Sequence, residues 1–203
     1  CLVSKKSSLK PIWFMRQAGR YLPEFREIRK LNPNFINLCL NDDLSSKITL
    51  QPLKRFDLSA AIIFSDILMV PYGLKQKVNF KKDFGPQLGE VNLKDVSKEE
   101  FLKKLKPIYN CINKVKSNNL IRNKNLIGFI GAPWTLLIYM INKKSPKKKI
   151  DSSFFDNKNL INELLKKLEK FLIIHIENQI DNGADIIQIF DSWAGLLDKK
   201  DLP

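Results

Sequence analysis

Three small groups of polar residues stand at or just past the ends of apolar runs: Arg16 with Arg20, Ser65 with Asp66, and Asp191 with Ser192. Guanidinium groups are planar, permanently charged and donate paired hydrogen bonds. Two of them four residues apart, with Gly19 between, can converge on carboxylates. Asp66 lies inside the run 58–70, where an unsatisfied polar group costs roughly 2–7 kcal/mol to bury and a bare charge more, so some donor must meet it. Each group also has a structural reading. Arg16 or Arg20 can pair with Asp66 as a plain bridge, Asp191 can cap a following helix, and Tyr139 can be a core aromatic with its hydroxyl at the surface. The single histidine, His175, sits among Ile173, Ile174 and Ile176 and reads as a packing residue. One histidine and three unpatterned cysteines (Cys1, Cys39, Cys111) assemble no standard zinc site. No serine stands in a nucleophile elbow.

The elements that would carry these groups alternate in type. A short apolar run, 11–15, reads as a buried strand or extended segment leading into the polar turn 16–21. Pro23 and Glu24 open a helix to about Lys30, because proline suits the first turn and an early carboxylate suits the dipole. Asn41 and its two aspartates predict an N-cap for a helix over about 43–55. The run 58–70, ended by Pro71, has the look of a strand buried on both faces, and 76–80 alternates like a hairpin strand. Ser97 and Glu100 form a capping-box start for a helix toward Ser117. A second buried strand is expected over 126–131, followed by a helix over 132–141 and an exposed loop over 142–157. Apolar residues from Leu160 to Ile176 mark one face of a helix over 159–182, ended by Gly183. A third buried strand is expected over 184–191, with Ser192–Gly195 as a loop. Buried strands alternating with amphipathic helices predict an α/β architecture with a parallel sheet, in which ligands gather at the carboxyl ends of strands.

The 203 residues are 44% hydrophobic and 28% charged, an ordinary globular balance. No apolar run reaches the ~20 residues of a membrane helix, and no glycine-rich nucleotide loop follows a strand. The net charge of +14 comes mainly from lysine in scattered clusters, while arginine occurs only at positions 16, 20, 26, 29, 55 and 122. No nucleic-acid module or aromatic-interleaved basic stripe accompanies the lysines, so they read as solvated surface. Cysteine usage fits a reduced compartment.

The stretch from Pro11 to Arg29, PIWFMRQAGRYLPEFREIR, closely resembles the N-terminal signature of the uroporphyrinogen decarboxylase family. Three further stretches resemble the same family in the same order: Ala60–Leu68, Gly128–Leu136 with Tyr139-Met140, and Gly183-Ala with Gln188–Gly195. The resemblance implies a (β/α)8 TIM-type barrel, here an incomplete N-terminal portion forming one truncated domain over 1–203. It also implies a homodimer in the cytoplasm (or a plastid) that takes uroporphyrinogen III to coproporphyrinogen III with no metal or organic cofactor. Neither nucleic acid nor a membrane is an expected partner. Carried over by motif, Arg16 and Arg20 would hold substrate carboxylates, with the Gln17-Ala18-Gly19 backbone lining the same wall. Asp66 would accept hydrogen bonds from the pyrrole N–H groups, and Tyr139 and Ser192 would contact acetate or propionate side chains. Arg16, or a water it holds, is one source for the proton, and the identity of the donor stays open because arginine is a poor acid. The family's cleft histidine lies beyond the residues present. The glycine-rich turn expected after Met140 reads Asn142-Lys-Lys-Ser145 here, and the 203 residues alone are expected to be inactive. A related corrinoid-dependent methyltransferase and a non-catalytic basic tetrapyrrole- or nucleic-acid-binding protein are the alternatives.

Overall fold

The structure is a computed structural model that describes residues 12, 14–81, 84–146 and 156–196. Its first helices are α1 (Pro23–Leu31), α2 (Phe35–Cys39) and α3 (Asp42–Arg55). Proline in its first turn, Glu24 near the start and Arg29-Lys30 near the end fix the ends of α1. The Asn41 side chain accepts the Leu44 N–H and caps α3 as expected. The sequence reading passed over α2, whose cap is the equivalent bond from Asn37 N–H to Asn34.

Strand β1 (Ala60–Ile62) leads to the short helix α4 (Met69–Gly73) and then to a hairpin of β2 (Val78–Lys81) and β3 (Gly85–Leu88). Helix α5 (Lys98–Lys116) begins with the expected capping box of Ser97 and Glu100. Then come β4 (Asn125–Gly131), α6 (Pro133–Asn142), α7 (Lys158–Asp181) and β5 (Ile186–Phe190). The sheet order is β1-β4-β5 and both pairings are parallel. Helices α3, α5 and α7 pack side by side and against these strands. Phe101, Leu105, Ile112, Leu126, Leu136 and Leu168 lie fully buried between the layers. This is a strand–helix repeat around a parallel sheet, the α/β architecture expected, with three parallel strands among the described residues.

Three expectations are corrected. The run 58–70 is not one long strand: β1 stops at Ile62, and Asp66 bends the chain by accepting the Leu68 N–H at 2.8 Å. An aspartate bonded to the backbone two residues on makes a turn, so Met69, Val70 and Pro71 start α4 instead of ending a strand. The run 11–15 forms no strand where it is described. Ile12, Phe14 and Met15 are 76%, 60% and 51% exposed, while Pro11 and Trp13 lie outside the described residues. Strand β5 is half-buried, with Ile189 53% exposed, because among the described residues nothing pairs with its far edge.

The amino end of the sheet is fastened by Asp185. Its carboxylate takes Lys116 Nζ at 2.6 Å and the Leu126 N–H at 2.7 Å. Gly183 precedes it at φ 111°, a conformation glycine tolerates best. After α6 the chain turns through Lys143 at φ 60°, the left-handed position where a glycine would be unstrained. The turn is held by a 2.7 Å bond from Leu88 N–H to the Lys143 carbonyl and by the pair of Lys143 with Glu90. Several other described lysines sit in exposed or half-exposed ion pairs, Lys75–Glu100 and Lys114–Asp42/Asp43 among them.

Candidate active site

The parallel register puts the carboxyl ends of β1, β4 and β5 on one side of the sheet. Two groups of the expected residues gather there. The first surrounds β1. Gln17 reaches the free edge of this strand, donating from Nε2 to the Ala60 carbonyl and accepting the Ile62 N–H at Oε1, both at 2.9 Å. One carboxamide thus does the work of a short neighbouring strand and moors the segment 16–20 beside the sheet. Ala18 packs on the small core of Leu22, Phe25, Ile28, Leu38 and Ile48. The Gly19 carbonyl accepts the Leu22 N–H at 3.0 Å. On either side of Gln17–Gly19 the side chains of Arg16 and Arg20 stay exposed.

Just past β1, Thr49 Oγ1 accepts the Phe64 N–H at 2.9 Å and holds the chain as it leaves the sheet. Asp66 follows, half-buried. Loss of water around its carboxyl raises its pKa from 3.8 to about 6, against the opposing effects of the Leu68 N–H bond and the Arg16 charge. Arg16 therefore acts on Asp66 through space. Among the described residues neither Arg16 nor Arg20 forms an ion pair with it, so the plain structural bridge is not made. A carboxylate within reach of the Arg16 charge, with Arg16 and Arg20 both free of ion pairs among the described residues, suits an anionic ligand that also carries N–H groups.

The second group joins α6 to the loop after β5. Thr135 Oγ1 donates to Asp191 Oδ1 at 2.7 Å and accepts the Trp193 N–H at 3.1 Å. Trp134 Nε1 donates to the Trp193 carbonyl at 3.3 Å. Asp191 thus accepts from the Thr135 hydroxyl, although both its expected roles were different ones. Tyr139 is half-buried, its ring edge-on to Trp193 at 5.9 Å, and its hydroxyl accepts a long 3.4 Å bond from Ser145. Ser192 is exposed between Asp191 and Trp193. Sequence reasoning missed Thr135 because it reads as one more residue of an apolar helix start.

Gly131 brings the two groups together. A Cβ there would stand 2.8 Å from Leu136 Cδ2 and 3.1 Å from Ile67 Cβ, so the turn carrying Asp66 rests directly on the end of β4. Gly131→Ala should lower stability by about 1–3 kcal/mol, as overpacking does, and displace the Asp66 turn. A melting temperature equal to wild type would contradict this close packing. His175 is remote in role: it is buried, its Nδ1 is 2.9 Å from the Tyr109 hydroxyl, and burial pushes its pKa down to about 4. It packs, as expected. Among the described residues no group of three His, Cys, Asp or Glu side chains could hold a metal ion.

A family profile for uroporphyrinogen decarboxylase (URO-D) matches residues 2–202. The chain belongs to the uroporphyrinogen decarboxylase family. Curated uroporphyrinogen decarboxylases from Rickettsia bellii and Agrobacterium fabrum are 44% and 40% identical to it over 94% of the chain. The enzyme from Orientia tsutsugamushi is 43% identical over 96%. The chain spans 57%, 57% and 58% of the lengths of these family members. A methyltransferase from Methanosarcina mazei superposes with a TM-score of 0.62 over 83% of this chain and 51% of its own, at 15% identity. That likeness speaks for the fold alone. Among the described residues no helix is long and apolar enough to cross a membrane.

Proposed function

We propose that the protein to which these residues belong is a uroporphyrinogen decarboxylase, removing the four acetate carboxyls of uroporphyrinogen III to give coproporphyrinogen III. The observation that carries the reading is Asp66: a desolvated carboxyl bonded to the Leu68 N–H, just past the carboxyl end of β1 and within the electrostatic reach of Arg16. Four inward N–H groups of a flexible tetrapyrrole donate to its carboxylate. Arg16 and Arg20 hold acetate and propionate carboxylates, with the Gln17–Gly19 backbone along the same wall. Tyr139 and Ser192 contact the side chains on the β4–β5 side.

The chemistry needs an electron sink. Protonating the ring beside an acetate-bearing carbon makes a pyrrole-derived cation; as CO2 leaves, the electrons of the broken C–C bond flow into it. The exocyclic methylene so formed takes a proton, the ring gives one up, and a methyl group remains. Each step thus consumes one proton in net terms and releases one CO2. Asp66 stabilises the cation as a fixed negative charge. The pyrrole is its own sink, so on this reading no metal or organic cofactor takes part. The working unit is a cytoplasmic homodimer with one catalytic domain per chain. The test is anaerobic incubation of the complete gene product with uroporphyrinogen III, separating products by carboxyl number. Stepwise seven-, six-, five- and four-carboxyl products are expected; binding without any of them would refute the reading.

A further inference from the structure

We infer that Thr135 is a positioning residue, whose hydroxyl sets the loop carrying Ser192 and the ring that packs on Tyr139. The inference goes beyond the decarboxylase reading and rests on it for its kinetic readout. Thr135 is fully buried in the first turn of α6, yet its hydroxyl bonds two places on a loop from another strand. It donates to Asp191 on one side of Ser192 and accepts from the Trp193 backbone on the other. The Trp193 carbonyl is taken by Trp134. The peptide units flanking the Trp193 side chain are therefore held from α6 at both the N–H and the C=O. The indole Nε1 of Trp193 is itself buried without an acceptor. The ring is placed by its main chain, since its own polar atom has no bond to place it. Tyr139 leans on that ring. A single hydroxyl thus couples two residues proposed to contact substrate, on elements that follow different strands.

Thr135→Val keeps the shape and removes the hydroxyl, leaving Asp191 without its donor and Trp193 N–H without its acceptor. In the complete gene product KM for uroporphyrinogen III should rise about tenfold while kcat stays within about threefold, the pattern of lost ground-state positioning. Thr135→Ser should restore the wild-type values. Asp191→Ala should mimic the valine variant, and the double variant should be no worse than either single one. Near-UV circular dichroism of the tryptophans should change in Thr135→Val and return in Thr135→Ser. Additive kinetic losses, or a Thr135→Val enzyme with wild-type KM, would overturn the inference. A wild type without turnover would instead refute the decarboxylase reading. The dichroism would then decide the positioning claim, an unchanged Thr135→Val spectrum overturning it.

Discussion

Asp66→Asn should lose about 10³-fold in kcat, on the scale seen when a fixed electrostatic stabiliser is removed, and yet give a more stable fold at neutral pH. The sign follows from the raised pKa. With the folded value at about 6 and the ordinary value at 3.8, folding favours the protonated carboxyl. Below about pH 3 both states hold the proton and Asp66 makes no difference. From about pH 3 to 6 its ionisation costs progressively more in the folded chain. Above pH 6 the whole penalty is present, roughly 2–3 kcal/mol at 1.36 kcal/mol per pKa unit. Asparagine keeps the oxygen that accepts the Leu68 N–H and carries no charge. Its melting temperature should match wild type at about pH 3 and exceed it by several degrees at about pH 7.5. An active Asp66→Asn enzyme would remove Asp66 from the mechanism. An inactive one with no gain at pH 7.5 would show that burial does not disfavour the charge.

Arg16→Gln should raise KM for the octa-anionic substrate by about 10–100-fold, the scale of a charge-assisted hydrogen bond or two. The loss should be largest for uroporphyrinogen and smaller for intermediates with fewer carboxyls. Because Arg16 lowers the pKa of Asp66 from outside any ion pair, the same change should move the acid limb of the kcat/KM profile to higher pH. Activity falls as Asp66 takes up its proton, so wild type should lose kcat/KM below about pH 6, and the variant should begin to lose it earlier. Arg16→Lys should recover the position of the acid limb but only part of the affinity, since an ammonium does not grip a carboxylate with two parallel bonds. An acid limb unmoved in Arg16→Gln would sever the two residues.

The alternation of element types was legible because each helix carries its own punctuation. Asn41, the Ser97–Glu100 box and Gly183 mark ends by local chemistry that tertiary structure had no reason to override. The run 58–70 misled because hydrophobicity reports burial and is blind to direction. The same buried residues serve a strand, a turn and a helix start, and only the Asp66–Leu68 bond divides them. Helix α2 is five residues long, too short for a periodicity to develop. At the site, residue types pointed to Arg16, Arg20 and Asp66. The Gln17 clamp on β1 and the Thr135 bridge to Asp191 are contacts across 43 to 58 residues of chain. No local pattern encodes such pairs, so they came into view only with the fold.

The most direct measurement is the number of CO2 molecules released per macrocycle by the complete gene product, given uroporphyrinogen III labelled in its acetate carboxyls under anaerobic conditions. The account predicts four, accompanied by coproporphyrinogen III and suppressed in Asp66→Asn. Tight binding of the substrate with no labelled CO2 would contradict it.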